Sequence, residues 1–162
     1  MDIAYYLSPI GAIEIKGSDS GINSVLFIES HPEQYSNPST LIDCLQQLDE
    51  YFSGKRKEFS LPLAPEGTLF QQQVWKELQN IPIGEKRTYL DIANKLGDKN
   101  LTRAVGAANG KNPIAIIIPC HRVIGENGKL TGYAGGLWRK EWLLDFESKK
   151  EQGELFAPRK SA

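Results

Sequence analysis

The fold of the C-terminal half is decided by residues 88–109, TYLDIANKLGDKNLTRAVGAAN. Thr88 is a typical residue at a helix start, and Ile92, Ala93 and Leu96 follow it at helical spacing until Gly97. A short polar turn then leads to a second helical segment, residues 101–109. Two helices joined by a glycine-containing turn have helix-turn-helix spacing, although helical domains that never bind nucleic acid contain such pairs too.

The second of these segments is unusually rich in small residues. Alanine and glycine predominate, and Arg103 is its one large side chain near the positive end of the helix. Such a helix can pack tightly against another helix. It can also enter a narrow groove of nucleic acid, where the longer side chains of a conventional recognition helix would not fit.

The distribution of charge favours a polyanionic partner. The net charge is only −1, but residues 1–84 hold five Lys/Arg against eleven Asp/Glu, a balance of −6, whereas residues 85–140 hold ten against four, a balance of +6. The basic block contains both the helix pair and the second of two cysteines, Cys120. A basic excess confined to one functional segment is typical of nucleic-acid binding.

The remaining patterns predict an α+β chain with two domains. Residues 4–7, 13–15 and 25–28 read as strands of a small antiparallel sheet separated by turns, and a helix follows from Ser39 to Gly54. We predict an N-terminal sheet-plus-helix domain over residues 1–60, a proline-containing linker over 61–66, a mostly helical domain over 67–147 and a flexible tail over 148–162.

Within the helical domain, Thr68 and Gln71 form a capping-box pattern that predicts a helix start. The apolar residues 114–118 read as a short buried strand that ends at Pro119. A last helix is predicted from about residue 137 to 146, with three apolar side chains in the core: Trp138, Trp142 and Leu143.

Cys120 and His121 form the candidate reactive site. A thiolate is a strong nucleophile, and a basic environment lowers the pKa of a thiol. His121 can act as its base if the chain turns at Pro119, and an acid would then orient the imidazole. The following sequence offers four candidate acids, and spacing alone does not choose among them: Glu126, Glu141, Asp145 and Glu147.

Cys44 lies on the apolar stripe of the first helix and is read as a small core residue. No histidine or cysteine pair has the spacing of a zinc site, so we expect no metal. The N-terminus lacks the pattern of a signal peptide, and no apolar run is long enough to cross a bilayer. We therefore expect a cytoplasmic or nucleoid-associated protein without a disulfide.

Several motifs together resemble one family. IPCHRV at 118–123, GYAGG at 132–136, KEWLL at 140–144, RAVG at 103–106 and Asn112-Pro113 are similar to the O6-alkylguanine-DNA alkyltransferases, the methylated-DNA protein-cysteine methyltransferases, especially their bacterial Ogt-like branch. The resemblance runs from about residue 67 to 147 and covers the N-terminal domain only in outline.

The resemblance implies a direct-reversal DNA repair protein that takes an alkyl group irreversibly from guanine O6. Cys120 matches the acceptor, and His121 and Glu147 match the relay that deprotonates it through a water. Tyr133 and Lys140 match residues that polarise the leaving guanine. A thioether is stable, so the protein would react once, without turnover and without a cofactor.

The resemblance also implies double-stranded DNA bound through the minor groove by a monomer with no membrane association. Arg103 matches the arginine that takes the place of the flipped base, and Tyr89 matches the tyrosine that pushes on the neighbouring phosphate. Base extrusion is required because O6 otherwise lies inside the stack.

Asn112 matches the asparagine that ties the recognition helix to the cysteine turn. Val123, Tyr133, Ala134 and Gly135 match the pocket that reads the base. Some relatives have serine where this chain has Ala134, and the loss of that hydroxyl favours bulkier adducts or O4-alkylthymine as additional substrates.

Three alternatives remain at this stage. A cysteine hydrolase would use the same three residues but would leave the basic helix pair unexplained. A non-catalytic lesion-binding protein would carry another residue, often tryptophan, at the acceptor position. A redox sensor would need a resolving cysteine, and Cys44 lies in the other predicted domain.

Overall fold

The computed structural model describes residues 1–151, which begin with a three-stranded antiparallel sheet. Its strands are β1 (Asp2–Ser8), β2 (Gly11–Ser18) and β3 (Gly21–Phe27), in that spatial order. Ile13 and Ile15 on β2 are fully buried, so the alternation in the sequence marks the core face of the sheet. The predicted N-terminal sheet is confirmed.

A helix packs on this sheet, and the predicted linker lies along the edge of the sheet beside β3. A 3₁₀ turn, Ser39–Leu41, leads into α1 (Ile42–Phe52), so Ser39 lies inside the turn instead of capping the helix as predicted. Cys44 on α1 is 1% exposed, in agreement with its interpretation as a core residue. The linker runs beside β3, where the Ile22 amide donates to the Pro62 carbonyl over 2.9 Å.

The helical part begins with α2 (Leu69–Leu78), whose Thr68 and Gln71 form the predicted capping box. A two-residue strand β4 (Arg87–Thr88) precedes α3 (Tyr89–Lys95), and a 3₁₀ turn leads to α4 (Thr102–Gly110). The predicted helix-turn-helix is therefore present. Trp75 on α2 donates its indole N–H to the carbonyl of Ala108 on α4 over 2.9 Å, which fixes the pair against the core.

The predicted strand at 114–118 is wrong, because the chain folds there into consecutive tight turns. The Ile117 amide bonds the Ala115 carbonyl at 2.8 Å, and the Ile118 amide bonds the Ile114 carbonyl at 3.1 Å. Ile116 has a φ of 72°, which costs a β-branched residue about 1–2 kcal/mol. All five residues are buried. The apolar run therefore predicted burial correctly, but it did not predict the backbone conformation.

After the cysteine turn, β5 (Val123–Ile124) pairs in parallel with β4, and α5 (Leu137–Glu151) follows. The last helix is longer than predicted, so its final turn occupies the first residues assigned to the tail, while residues 152–162 lie outside the described part of the chain. Leu143 is fully buried and Trp142 packs against the core. Trp138 is 55% exposed, so its prediction as a core residue is wrong. No helix within residues 1–151 is long and apolar enough to span a bilayer.

Candidate active site

Cys120 opens a 3₁₀ helix, Cys120–Arg122, immediately after Pro119. Successive residues of a 3₁₀ helix project about 120° apart, so neighbouring side chains reach different surroundings. Cys120 lines a cavity, whereas His121 is fully buried against α5. The predicted turn at Pro119 is present, and the two neighbouring side chains face different surroundings.

Asn112 holds the loop that carries the cysteine. Its side-chain oxygen accepts from the Ile114 amide at 2.9 Å, and its amide nitrogen donates to the Ile118 carbonyl at 2.8 Å. It follows α4 by two residues and also lines the cavity with Cys120. These bonds satisfy buried backbone groups that the missing strand leaves without a ladder partner.

A buried network surrounds Glu147 on α5. One carboxylate oxygen, Oε2, accepts from His121 Nε2 at 2.7 Å and from the Tyr51 hydroxyl at 2.5 Å. Arg122 donates from Nε to Oε1 at 2.8 Å and from Nη2 to Oε2 at 3.0 Å. Of the four candidate acids, Glu147 is therefore the one that contacts His121.

This network determines the charge states at the site. Burial alone would raise the pKa of Glu147, but His121 and the Arg122 guanidinium together hold it well below its usual range. Burial lowers the pKa of His121, so its ring is neutral at pH 7. An ionised carboxylate only accepts, which places the imidazole proton on Nε2 and the lone pair on Nδ1.

Burial raises the pKa of Cys120, and only part of that increase is opposed by the Asn112 side chain and the charge of Lys140. The resting sulfur is therefore a thiol that needs a base. His121 Nδ1 makes no hydrogen bond within residues 1–151, and it carries the lone pair that a base requires. The site therefore combines a neutral thiol with a neutral imidazole whose Nδ1 can accept a proton.

The cavity that exposes Cys120 has a volume of about 150 Å³. Tyr133, Ala134 and Gly135 from the loop before α5 line it. The Tyr133 hydroxyl is buried with no hydrogen-bond partner among the described residues, and burial raises its pKa well above the ordinary value. The cavity therefore presents a nucleophile and a proton donor together.

Lys140 and Val123 do not line this cavity. Lys140 is fully buried and donates from Nζ to the Val123 carbonyl at 2.7 Å and to the Thr131 carbonyl at 3.2 Å. The Thr131 hydroxyl also bonds the hydroxyl of Tyr89, which is half-buried, at 2.5 Å. Lys140 therefore braces the two ends of the segment that leads into the pocket loop.

Helix α4 has one buried and one exposed face. Val105 and Ala108 are buried, whereas Arg103, Ala104 and Ala107 are exposed. The buried face agrees with the interpretation that the small residues allow tight packing, and the exposed face carries Arg103 beside two alanines. Arg103 makes no hydrogen bond or ion pair within the described chain, so its guanidinium is available to a partner.

Two cations of the basic segment, residues 85–140, are buried. Arg122 is 6% exposed and Lys140 is 0% exposed, so these two cations act inside the protein and not on its surface. The charge available to a polyanion comes from the rest of the block. Within residues 1–151, no group of three or more His, Cys, Asp or Glu side chains is placed to hold a metal ion.

Sequence reasoning missed two members of the buried network. Arg122 lies inside the quoted hexapeptide, and a cation beside an acid-dependent histidine is a signal that could have found it. Tyr51 belongs to α1, 96 residues before Glu147, and nothing local marks it. The network therefore joins the two halves of the chain.

Lowering the pH is expected to destabilise the fold through His121. Its folded pKa lies below the ordinary 6.5, so the unfolded chain binds more protons between these values. The cost of protonating this buried imidazole is therefore absent above about pH 6.5, and the free energy of unfolding falls as the pH decreases below that value. Thermal unfolding should show a falling midpoint from pH 7 to 5, and His121→Gln should flatten this slope while His31→Gln, at an exposed site, should not. Equal slopes in all three proteins would contradict the prediction.

The fold and the site define an α+β protein in which a helix-turn-helix adjoins a buried cysteine, histidine and glutamate. Residues 69–149 match the family profile described as "6-O-methylguanine DNA methyltransferase, DNA binding domain", and residues 1–65 match the one described as "6-O-methylguanine DNA methyltransferase, ribonuclease-like domain". The chain belongs to this family, which confirms the resemblance drawn from the motifs.

Individual relatives agree with this assignment over nearly the whole chain. A methylated-DNA–protein-cysteine methyltransferase of Methanosarcina acetivorans is 49% identical over 153 residues, 91% of this chain and 98% of that protein. The crystal structure of Mycobacterium tuberculosis O6-methylguanine methyltransferase superposes with a TM-score of 0.83 at 42% identity, covering 98% and 96% of the two chains. A structure of M. tuberculosis OGT in complex with DNA has a TM-score of 0.81 at 44% identity, covering 94% and 98%.

Proposed function

We propose that this chain repairs alkylated DNA by direct reversal, with Cys120 as the irreversible acceptor of the alkyl group from guanine O6. The chain is a DNA-repair methyltransferase of the family named above, and it binds DNA. The observation that carries the assignment to Cys120 is its position: it is the one cysteine of the two that lines a cavity, and it adjoins an oriented neutral imidazole.

The chain's own residues can account for every bond, electron pair and proton in the transfer, without a cofactor. His121 Nδ1 takes the thiol proton through a water, and the thiolate attacks the alkyl carbon. A sulfur–carbon bond forms while the carbon–O6 bond breaks, and its electron pair stays on guanine. Tyr133 supplies a proton to the leaving base and regains one from the His121 imidazolium, so the thiol proton ends on guanine. The thioether does not revert, so each molecule reacts once.

The other pocket residues support this step. Lys140 lowers the pKa of Cys120 through its charge and holds the Val123 and Thr131 carbonyls in place. We assign it to positioning the pocket and favouring the thiolate, with Val123 as part of that brace. Asn112 keeps Cys120 at the cavity. Ala134, which lacks a hydroxyl, leaves room for bulkier adducts or O4-alkylthymine.

For the DNA complex, we propose entry from the minor groove by α4. Arg103 is exposed on the same face as Ala104 and Ala107, so the helix can approach closely while one guanidinium enters the duplex. Tyr89 would act on the phosphate beside the flipped nucleotide. We further propose a monomer that works in the cytoplasm, with the domain division over residues 1–60 and 67–147.

Arg103→Ala is expected to slow repair of duplex DNA by about tenfold or more, because nothing then fills the stack after base extrusion. Reaction with free O6-benzylguanine should change much less, since a free base needs no extrusion. Rates measured on both substrates test this, with Lys99→Ala, an exposed cation on the preceding turn, as the matched control. Equal losses on both substrates would contradict the role of Arg103.

The function itself is tested by intact-protein mass spectrometry after incubation with a duplex that contains one O6-methylguanine. We expect a gain of one methyl group, about 14 Da, that maps to Cys120 and stops at one per protein. Cys44 is an internal control, because burial raises its pKa to about 12. Lesion binding without any gain in mass would overturn alkyl transfer.

A further inference from the structure

The cavity at Cys120 is not built by the C-terminal half alone. Leu26 and Phe27, at the end of β3 in the N-terminal sheet, line it together with the pocket loop. Leu26 is 40% exposed, whereas Phe27 is partly buried and packs against the core. An aromatic ring from the N-terminal domain thus forms one wall of the space beside the nucleophile.

The position of Phe27 relative to Cys120 is fixed by backbone hydrogen bonds. On the residues before it, the Val25 amide donates to the Pro113 carbonyl and the Ala115 amide donates to the Val25 carbonyl, both at 2.9 Å. These bonds join the end of β3 to the same loop that carries Cys120. The strand cannot shift without breaking bonds to buried backbone groups.

Phe27 also closes tightly on the pocket loop. A Cβ placed on Gly135 would lie 2.9 Å from Phe27 Cδ2 and 2.9 Å from Tyr133 Cε2. Two aromatic rings therefore converge on one glycine, and each occupies space that a side chain there would need. The size of the cavity at this wall is set by the rings themselves.

Arg139 contacts both the Phe27 ring and the pocket loop. Its guanidinium carbon lies 4.6 Å from the centroid of the Phe27 ring, within range of a cation–π interaction. Its Nη1 donates to the Gly135 carbonyl at 2.8 Å, and its Nε donates to the Ile10 carbonyl at 2.7 Å. One side chain thus holds the ring, the pocket loop and the turn between β1 and β2.

We infer that Phe27 is a specificity-determining residue that limits the size of the alkyl group transferred to Cys120, and that Arg139 is the positioning residue that holds this wall. The inference rests on the proposed function. The wall is apolar and belongs to a different domain from the nucleophile, so removing it enlarges the cavity without touching His121 or Glu147.

The test compares two duplexes that differ only in carrying O6-methylguanine or O6-benzylguanine. For each variant, the second-order rates of Cys120 alkylation are measured by intact mass, and the benzyl-to-methyl ratio is the readout. Phe27→Ala is expected to raise this ratio about tenfold, because apolar pockets discriminate by size to that extent. Phe27→Leu should raise it less.

Arg139→Met should also raise the ratio, and Arg139→Lys, which keeps a cation over the ring, should restore part of the wild-type value. Leu7→Ala is the matched control, since it removes an exposed apolar side chain from the same sheet. A merely structural role would slow both substrates equally and leave the ratio unchanged.

An unchanged ratio in folded Phe27→Ala would overturn the inference, and if that variant does not fold, an unchanged ratio in Phe27→Leu would do so. Failure of the proposed function has a different signature. In that case the wild-type protein itself gains no mass at Cys120 from either duplex, whereas failure of this inference alone leaves wild-type methylation intact.

Discussion

Replacing Cys120 by serine is expected to abolish alkyl transfer while leaving lesion binding in place. An alcohol ionises far less readily than a thiol, and its oxygen is a weaker nucleophile toward an alkyl carbon. Removing the nucleophile of an active site typically costs at least about 10⁴-fold in rate. The cysteine turn should keep its shape, because the Asn112 side chain bonds the backbone of that loop at Ile114 and Ile118.

The measurement follows the methyl group itself, by intact mass and by loss of O6-methylguanine from the duplex, alongside binding to the same duplex. Cys44→Ala is the matched control, and it should keep full transfer because that sulfur is buried in the core of the other domain. Methylation of the Cys120→Ser protein at the wild-type rate would show that another group is the acceptor.

Glu147→Gln is expected to have the second largest effect, on both stability and rate. The amide leaves the Arg122 guanidinium buried without its carboxylate, and breaking a buried pair in this way costs about 3–5 kcal/mol. An amide also presents a donor, so it no longer fixes the His121 proton on Nε2. Loss of the correct tautomer lowers the rate by about 10²–10⁴-fold.

Chemical denaturation and single-turnover kinetics separate these two effects. Glu141→Gln is the matched control, because Glu141 lies on the same helix but is exposed. Tyr51→Phe removes one hydrogen bond to Glu147 Oε2 and should cost less, about 1–3 kcal/mol, with the charge pair retained. Wild-type stability and rate in Glu147→Gln would contradict the structural role assigned to this carboxylate.

Local sequence patterns predicted the elements whose cause is local. Thr68 and Gln71 form their capping box within one turn, and the spacing of Ile92 and Ala93 identified the buried face of α3. The helix-turn-helix was predictable for the same reason, since its helices and turn are adjacent in the chain. The order of the N-terminal strands followed from tight turns between them.

Patterns of burial alone were less informative. The run from Ile114 to Ile118 is as apolar as a buried strand, but Asn112 bonds the backbone from the side and the chain turns back on itself. Trp138 has the composition of a core residue, yet it lies exposed at the start of α5 and stacks with Arg139. Hydrophobicity reports a preference for burial, and it does not specify which partners provide it.

The sequence by itself determined the helix-turn-helix, the capped helices and the placement of a cysteine and a histidine at a proline turn, because each depends on residues a few positions apart. Local spacing left four acids open for His121, and the family resemblance pointed to Glu147. Only the tertiary structure showed that Glu147 contacts His121, that Tyr51 and Arg122 complete this network and that Phe27 walls the pocket. The contacts of Glu147 join residues that are 25 to 96 positions apart. Phe27 and Cys120, which line the same cavity, are also far apart in the chain. Pairs this far apart in the chain meet only when the helices, strands and loops pack together, so no local spacing encodes them.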